Sequence, residues 1–282
     1  MQTDNGDVIS HVLARLAAEP LSQDPFPHLI VEHALSPEYF RALSMNVPPA
    51  ALFSQAEYPG TGRFTRRHGG TPTSDQTASH HGLVLKEWSA APMLQPLSDL
   101  FSGDAFARVL LDRFSEPGSR EGGGSAIPAS KYPAFSNGQR SYSSVFGLYK
   151  DLGGYEISPH LDNPMKIVTF LLYLDDDPSC PCPTLLCRPK AGADYANLQA
   201  AGYGAAAQEG RAGLWLDWDD FEIVKAVHGP NVLFAFAPND ISFHGVKLPP
   251  VPTRGERTVV RGFIARAGYR DTRILASQTS EP

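Results

Sequence analysis

Pro159-His160-Leu161-Asp162-Asn163-Pro164 stands between two short segments with strand character, residues 154–159 and 166–174. A histidine and an aspartate two positions apart at the end of an extended segment lie on the same side of the chain, so both side chains can reach one metal ion. The pair alone is a weak signal, because His-x-Asp recurs by chance and usually lies in a solvated turn. The residues that follow it therefore decide whether it forms a site.

A second histidine follows this pair and could supply a third metal ligand, and an arginine follows that histidine. His244 lies in Ser242-Phe243-His244-Gly245-Val246, and Arg257 follows in Gly255-Glu256-Arg257. Two imidazoles and one carboxylate can hold one face of a ferrous ion and leave the other face open, as in non-haem Fe(II) oxygenases. His228 also precedes a glycine, but it stands at a strand end, so His244 is preferred as the third ligand.

The region that contains these residues has the pattern of a β-rich fold. Eight short strands with turn residues between them favour a double-sheet jelly roll of the cupin kind. The predicted fold class is therefore mainly β with α elements (α+β), and residues 188–220 form an insertion between the fourth and fifth strands. The predicted strands are residues 143–150, 154–159, 166–174, 184–187, 221–227, 231–237, 240–246 and 256–265.

The first half of the chain is predicted to be largely helical. Apolar residues at helical spacing predict a helix over residues 8–18, followed by a short strand over residues 29–31. Ser36-Pro37-Glu38 offers an N-cap and a first-turn proline for a helix that runs to about Asn46. A further helix is predicted over residues 92–113.

Two long polar segments interrupt these helices. Residues 54–82 and 115–140 are rich in turn-forming residues, so each is either surface disorder or a lid over a site. The whole chain, 1–282, is predicted to be one domain. In it, residues 1–140 form helical and loop support, residues 141–266 form the core, and residues 267–282 form a C-terminal tail.

Composition and charge restrict the class of protein. The 282 residues are 42% apolar, which is enough to bury a large core. A formal net charge of -6 and a pI near 5.8 argue against a nucleic acid held by a basic surface. Apolar runs are too short for a membrane span, and Met1–Asp7 is polar and acidic where a signal peptide would be basic and then apolar. We therefore expect a cytoplasmic protein without nucleic-acid or membrane partners.

Three cysteines, Cys180, Cys182 and Cys187, lie within one short stretch. Their odd number argues against a disulfide framework. A zinc site would require a fourth ligand and the spacing between cysteines that is usual in zinc sites. We expect reduced thiols on a loop and on the strand that follows it.

Several features together resemble a known family. Tyr149, the run Pro159–Pro164 and the segment Thr169–Leu174 resemble, in order and spacing, the Fe(II)/2-oxoglutarate-dependent dioxygenases, most closely their prolyl-hydroxylase-like branch. The resemblance covers residues 143–266, the double-stranded β-helix core of that family. Residues 24–31 resemble its lead-in less specifically. The resemblance implies the same fold, with the N-terminal helices packed outside the core.

The resemblance also assigns roles to individual residues. It makes His160, Asp162 and His244 the iron ligands, and Arg257 the partner of the distal carboxylate of 2-oxoglutarate. Arg261 lies on the same strand face and is the competitor of Arg257 for this role. Tyr149 and Tyr173 match positions near the cosubstrate, although a buried tyrosine that makes a structural hydrogen bond is an equal alternative for each.

Two departures from the family pattern bear on this assignment. Many relatives carry a Gly-Gly-x-Thr turn before the fourth strand, whereas this chain has Cys182-Pro183-Thr184-Leu185, so the turn is built differently. Related halogenases lack the carboxylate ligand and bind halide in its place. The presence of Asp162 therefore favours oxygenation over halogenation.

The function implied is oxidation by Fe(II), 2-oxoglutarate and O2, with release of succinate and CO2. The expected partner is a small-molecule or peptide substrate that is hydroxylated at an unactivated C–H bond, with desaturation, cyclisation and epimerisation as open outcomes. A cupin-type metal isomerase or sugar-binding protein that does not use 2-oxoglutarate is a second possibility, in which Arg257 is an ordinary strand-end arginine. A degenerate, non-catalytic relative is a third.

Overall fold

The computed structural model of the chain describes residues 5–55, 82–85, 88, 91–115, 127, 142–151, 156–162, 165–174, 183–193, 216–247 and 257–266. Within these residues, four α-helices lie in the first half of the chain. They are α1 (Asn5–Ala18), α2 (Pro37–Met45), α3 (Gln95–Ser102) and α4 (Asp104–Ser115). Short 3-10 helices cover Ala50–Leu52, Pro92–Leu94 and Trp218–Asp220.

The strands of the described residues run along the whole chain, with most of them in the second half. They are β1 (His28–Val31), β2 (Phe53–Gln55), β3 (Gly82–Leu85), β4 (Tyr142–Asp151), β5 (Glu156–His160), β6 (Lys166–Tyr173), β7 (Thr184–Pro189), β8 (Phe221–Val227), β9 (Val232–Phe236), β10 (His244–Lys247) and β11 (Arg257–Arg266).

These strands form two antiparallel sheets. The larger sheet has the order β1-β9-β6-β11-β4-β3-β2, and the smaller has the order β5-β10-β7-β8. From β4 to β7 successive strands alternate between the two sheets. After β8, which stays beside β7, the alternation resumes through β9, β10 and β11. This alternation is the topology of a double-stranded β-helix, or jelly roll, so the predicted fold class is confirmed.

The two faces of the larger sheet bury different partners because side chains alternate along each strand. Helices α1, α3 and α4 cover its outer face, where Phe101 stacks on Phe170 with ring centroids 5.0 Å apart and Phe106 meets the same ring edge-on. A Cβ on Gly262 would lie 2.3 Å from Cζ of Phe170, so this strand position needs glycine where the ring crosses it. The predicted placement of the N-terminal helices outside the core is confirmed.

The inner face of the larger sheet and the smaller sheet together enclose the barrel. Aromatic and branched side chains pack together in its middle. The members of this inner cluster are Phe26, Tyr149, Leu171, Tyr173, Leu186, Val227, Val232, Phe234, Phe236 and Val259.

All eight strands predicted for the core are present, with small shifts at their ends. The largest shift affects residues 240–246, because the strand begins only at His244. Residues 239–242 form a turn instead, in which Asn239 Oδ1 accepts from the Ile241 amide and Ser242 Oγ accepts from the Asn239 amide. The prediction that His244 belongs to this strand is therefore confirmed, but the predicted start at residue 240 is wrong.

The N-terminal predictions hold with two corrections. The N-cap of α2 is confirmed, since Ser36 Oγ accepts from the Tyr39 amide at 3.3 Å. The single helix predicted over residues 92–113 is wrong. A 3-10 turn, α3 and α4 occupy this range, and the break falls at Gly103, which has an extended conformation. Residues 54–55 and 82 of the predicted loop belong to strands β2 and β3.

The greater part of the two predicted lids, residues 56–81, 116–126 and 128–141, lies outside the described residues, as do residues 194–215 of the insertion and the tail 267–282. The division of the chain into domain parts stays a prediction. Among the residues that are described, no helix is long and apolar enough to cross a membrane.

Candidate metal centre

The three predicted ligand residues meet at one end of the barrel. His160 is the last residue of β5 and pairs directly with His244, the first residue of β10, which places their ring centroids 4.3 Å apart. Asp162 follows β5 by two residues. One candidate ligand atom from each of the three side chains lies within 4.8 Å of the other two. The arrangement brings two imidazoles and one carboxylate to a single point.

A backbone hydrogen bond fixes the tautomer of His244. Its Nδ1 lies 3.0 Å from the Ser242 carbonyl oxygen, which can only accept, so Nδ1 carries the proton and Nε2 carries the lone pair. The Asn239–Ser242 turn sets the position of that carbonyl. Burial lowers the pKa of His244, against the opposing effect of Asp162, and this favours the neutral imidazole that a metal requires.

Asp162 is buried and held through both carboxylate oxygens. Thr169 Oγ1 donates to Oδ2 at 2.5 Å, and Lys166 Nζ donates to Oδ1 at 2.6 Å. Burial alone would raise the pKa of Asp162, but Lys166, His244 and His160 together hold that pKa well below its usual range. The carboxyl group is therefore ionised at neutral pH, and each oxygen keeps a lone pair for a metal.

The outer side of the two ligand strands is supported by the end of the predicted insertion. The Leu216 amide donates to the Pro159 carbonyl at 3.0 Å, and the indole of Trp218 lies against Gly245. A Cβ on Gly245 would lie 2.7 Å from both Trp218 Cη2 and the Ile157 carbonyl oxygen, so the residue after His244 has no room for a side chain. Residues 216–218 thus lie behind the candidate centre.

Deeper in the barrel, Arg257 forms a buried ion pair that the sequence did not predict. Its Nε donates to Asp151 Oδ2 at 2.8 Å and its Nη2 lies 2.6 Å from the same oxygen, with side chains only 1% and 0% exposed. Arg261, the sequence competitor of Arg257, donates through Nη2 to Asp151 Oδ1 at 2.6 Å. One carboxylate therefore holds both arginines.

The two tyrosines singled out from sequence lie beside these arginines. The hydroxyl of Tyr173 donates to Thr184 Oγ1 at 2.6 Å, and Arg257 Nη1 lies 3.5 Å from the same oxygen. Burial raises the pKa of Tyr173, so its hydroxyl stays protonated and can donate. The ring of Tyr149 lies under Arg261, with the guanidinium carbon 4.0 Å from the ring centroid.

Strand register gives the depth of this polar group relative to the metal ligands. Leu186 pairs with His244, and Thr184 lies two residues away on the same face of β7. Two residues of strand correspond to about 7 Å. The guanidinium of Arg257, whose Nη1 is near Thr184, therefore lies about 7 Å farther into the barrel than His244. A five-carbon dicarboxylic acid can span this distance.

The remaining candidates from the sequence lie apart from this centre. His228 is exposed and follows β8 outside any strand. Cys187 is a free buried thiol on β7, and burial raises its pKa to about 12, so it stays protonated. Cys180, Cys182, His68 and the His80-His81 pair lie outside the described residues.

Sequence reasoning missed Asp151, Thr184, Thr169 and Lys166. Period-two alternation puts Asp151 on the face of Tyr149, and Thr169 on the face of Tyr173. The alternation of side chains can be seen in the sequence, but it does not predict which strands are neighbours in the sheet. The pairing of Asp151 with Arg257 follows from the register of β4 and β11, which only the folded sheet provides.

No family model and no curated protein matches the chain. Among solved structures, HygX from Streptomyces hygroscopicus with nickel, 2-oxoglutarate and hygromycin B bound is similar with a TM-score of 0.43 and 11% identity, over 86% of this chain and 84% of that chain. A Pseudomonas putida prolyl-4-hydroxylase follows with a TM-score of 0.41 and 15% identity, over 92% and 99%. The non-heme alpha ketoglutarate dependent epimerase SnoN has a TM-score of 0.41 and 11% identity, over 94% and 84%.

HygX is thus described with 2-oxoglutarate bound, and SnoN as dependent on alpha ketoglutarate.

Proposed function

We propose that this chain is an Fe(II)- and 2-oxoglutarate-dependent oxygenase. The observation that carries the proposal is the meeting of His160, Asp162 and His244, whose candidate ligand atoms lie within 4.8 Å of one another. This donor set suits ferrous iron and leaves coordination positions for other ligands. The expected reaction is hydroxylation of an unactivated C–H bond in an amino acid, a peptide or a small metabolite.

The chain's own groups prepare the centre in three ways. The Ser242 carbonyl keeps the proton of His244 on Nδ1, so Nε2 can bind. Thr169 and Lys166 restrict the rotation of the Asp162 carboxylate. Iron bound there would supply the O2 chemistry that side chains cannot perform. The protein would supply binding, orientation and the exclusion of water from the barrel.

A second group supports 2-oxoglutarate as the cosubstrate. Arg257, Thr184 and Tyr173 bring a guanidinium and two hydroxyls together below the metal ligands. A planar guanidinium with neighbouring hydroxyls suits a carboxylate, since each hydrogen bond to it is charge-assisted. We assign the distal carboxylate to Arg257 with Tyr173, and Tyr149 to the support of Arg261.

One observation favours a different function. Arg257 already pairs with the buried carboxylate of Asp151, as a purely structural arginine would. A cupin-type metal isomerase or sugar-binding protein with the same three ligands would not need 2-oxoglutarate. The two functions differ in whether a 2-oxo acid with a distal carboxylate binds.

Turnover of the cosubstrate tests the proposal directly. Protein loaded with Fe(II) is incubated with 2-oxoglutarate, ascorbate and O2, and succinate is measured, first alone and then with pools of amino acids, peptides and small metabolites. Slow succinate formation that the right pool accelerates is expected, and the Asp162→Ala protein should form none. Metal-loaded protein that forms no succinate with or without any pool, and that binds no 2-oxoglutarate, would support the cupin alternative.

A further inference from the structure

We propose that Asp151 is a positioning residue that orients Arg257 toward the distal carboxylate of the cosubstrate. This inference rests on the proposed function and deepens it, because it names the group that determines selectivity between 2-oxo acids. Asp151 is the last residue of β4 and pairs directly with Arg257, the first residue of β11. The sheet register therefore fixes the carboxylate beside the guanidinium.

The contacts of Arg257 are divided between its two edges. On one edge, Nε and Nη2 lie 2.8 Å and 2.6 Å from Asp151 Oδ2. On the other, Nη1 is directed at Thr184 Oγ1, which also accepts from Tyr173. A guanidinium is planar and rigid, so two fixed nitrogens determine the direction of the third. Asp151 thereby directs Nη1 of Arg257 toward the side of the barrel where Thr184 and Tyr173 lie.

The other oxygen of Asp151 holds the second arginine. Arg261 reaches Oδ1 through Nη2 at 2.6 Å, and its guanidinium lies over the ring of Tyr149. Two guanidinium groups this close would repel each other in a barrel of low dielectric constant. The carboxylate between them reduces the charge of the three groups to a single positive charge. Orientation and charge balance are therefore two separable effects of the same residue.

Cosubstrate selectivity distinguishes positioning from a merely structural role. Pyruvate has the same keto acid end as 2-oxoglutarate but no distal carboxylate. A residue that only supports the fold should affect both acids alike. A residue that orients Arg257 should affect 2-oxoglutarate alone.

In the experiment, the Fe(II)-loaded full-length protein is titrated anaerobically with 2-oxoglutarate and, separately, with pyruvate. Calorimetry measures each dissociation constant. In Asp151→Asn, the dissociation constant for 2-oxoglutarate should rise about tenfold or more, as expected for the loss of one charge-assisted contact. The constants for pyruvate and for Fe(II) should stay unchanged. The matched control is Asp104→Asn, which removes a carboxylate that contacts the other end of β4 through Tyr142.

A charge-balanced double variant separates orientation from charge and keeps the test usable if Asp151→Asn does not fold. Asp151→Asn with Arg261→Gln leaves one positive charge in the group, as in the wild type. Positioning predicts that 2-oxoglutarate still binds weakly in the double variant. Wild-type affinity in either variant, or an equal loss for both acids, would overturn the inference. If wild-type protein bound Fe(II) but not 2-oxoglutarate, the proposed function itself would fail.

Discussion

His160 and His244 lie directly opposite each other on β5 and β10, with ring centroids 4.3 Å apart. Hydrogen bonds of the sheet therefore set the spacing of two candidate ligands before any metal binds. Pre-organisation of this kind removes most of the ordering cost of metal binding. The third candidate, Asp162, is held by Thr169 and Lys166 in the same way.

Replacement of His244 by Ala should abolish Fe(II) binding while the fold is retained. In the proposed site the side chain contributes a ligand atom, and the strand to which it belongs is held by backbone pairs to β5 and β7. Fe(II) affinity is measured by calorimetry and folding by circular dichroism. The control is His228→Ala, because His228 is exposed and does not belong to the candidate ligand group. Unchanged Fe(II) affinity in the His244→Ala protein would remove this residue as a ligand.

Replacement of Arg257 by Gln should weaken 2-oxoglutarate binding about 10- to 100-fold, the range expected for hydrogen bonds to a charged group. Fe(II) affinity should not change, because Arg257 contributes no atom to the candidate ligand group. Arg261→Gln serves as the comparison, since Arg261 holds the other oxygen of the same carboxylate, Asp151 Oδ1. A larger loss in Arg261→Gln than in Arg257→Gln would reverse the assignment of the cosubstrate anchor.

Gly245→Ala should destabilise the protein by about 1–3 kcal/mol, the usual cost of overpacking. The new Cβ would lie 2.7 Å from Trp218 Cη2 and from the Ile157 carbonyl oxygen. Because β10 carries His244, Fe(II) affinity should fall together with the unfolding free energy. Chemical denaturation measures the first effect and metal titration the second.

A second substitution tests the origin of that strain. Adding Trp218→Phe should restore only part of the stability, because the backbone oxygen of Ile157 remains in place. Full recovery in the double variant would mean that the indole alone restricts the position.

Stability should fall below neutral pH partly because of His28. Its ring packs against Phe26 and Phe234 and is fully buried, and within the described part of the chain Nε2 has no hydrogen-bond partner. Burial lowers the pKa of His28 below the ordinary value of 6.5, against the smaller opposing effect of its hydrogen bond with the Phe26 carbonyl. As the pH falls, the unfolded chain therefore binds a proton at a higher pH than the folded chain. The stabilisation is present above the ordinary pKa of 6.5 and is lost as the pH falls from there through the lower pKa of the folded state.

The variant His28→Phe separates this contribution from others. It should reduce the change in unfolding free energy between about pH 7 and pH 5 by up to about 1.4 kcal/mol for each pH unit in which only the unfolded chain is protonated. Urea denaturation at a series of pH values gives the comparison, with His228→Gln as the exposed control. An identical pH dependence in the wild type and His28→Phe would show that His28 is not the group responsible.

The candidate pair His160 and Asp162 and the core strands could be predicted from the sequence because both depend on short-range pattern. His160 and Asp162 lie at the end of one strand at a fixed spacing, and the apolar runs of β6 and β11 fit strands that are buried along almost their whole length. The start of β10 could not be predicted, because the Asn239–Ser242 turn competes with strand formation through side-chain hydrogen bonds. The role of Asp151 could not be predicted either, since it depends on which residue of β11 lies opposite.

The most direct test of the central claim is an anaerobic titration of the metal-free protein with Fe(II) and then with 2-oxoglutarate, monitored for the weak visible metal-to-ligand charge-transfer band of a chelated 2-oxo acid. The account predicts that the band appears in the wild type, that it is lost in His160→Ala, and that Arg257→Gln needs a higher 2-oxoglutarate concentration to form it. Tight Fe(II) binding without any band at saturating 2-oxoglutarate would contradict the account.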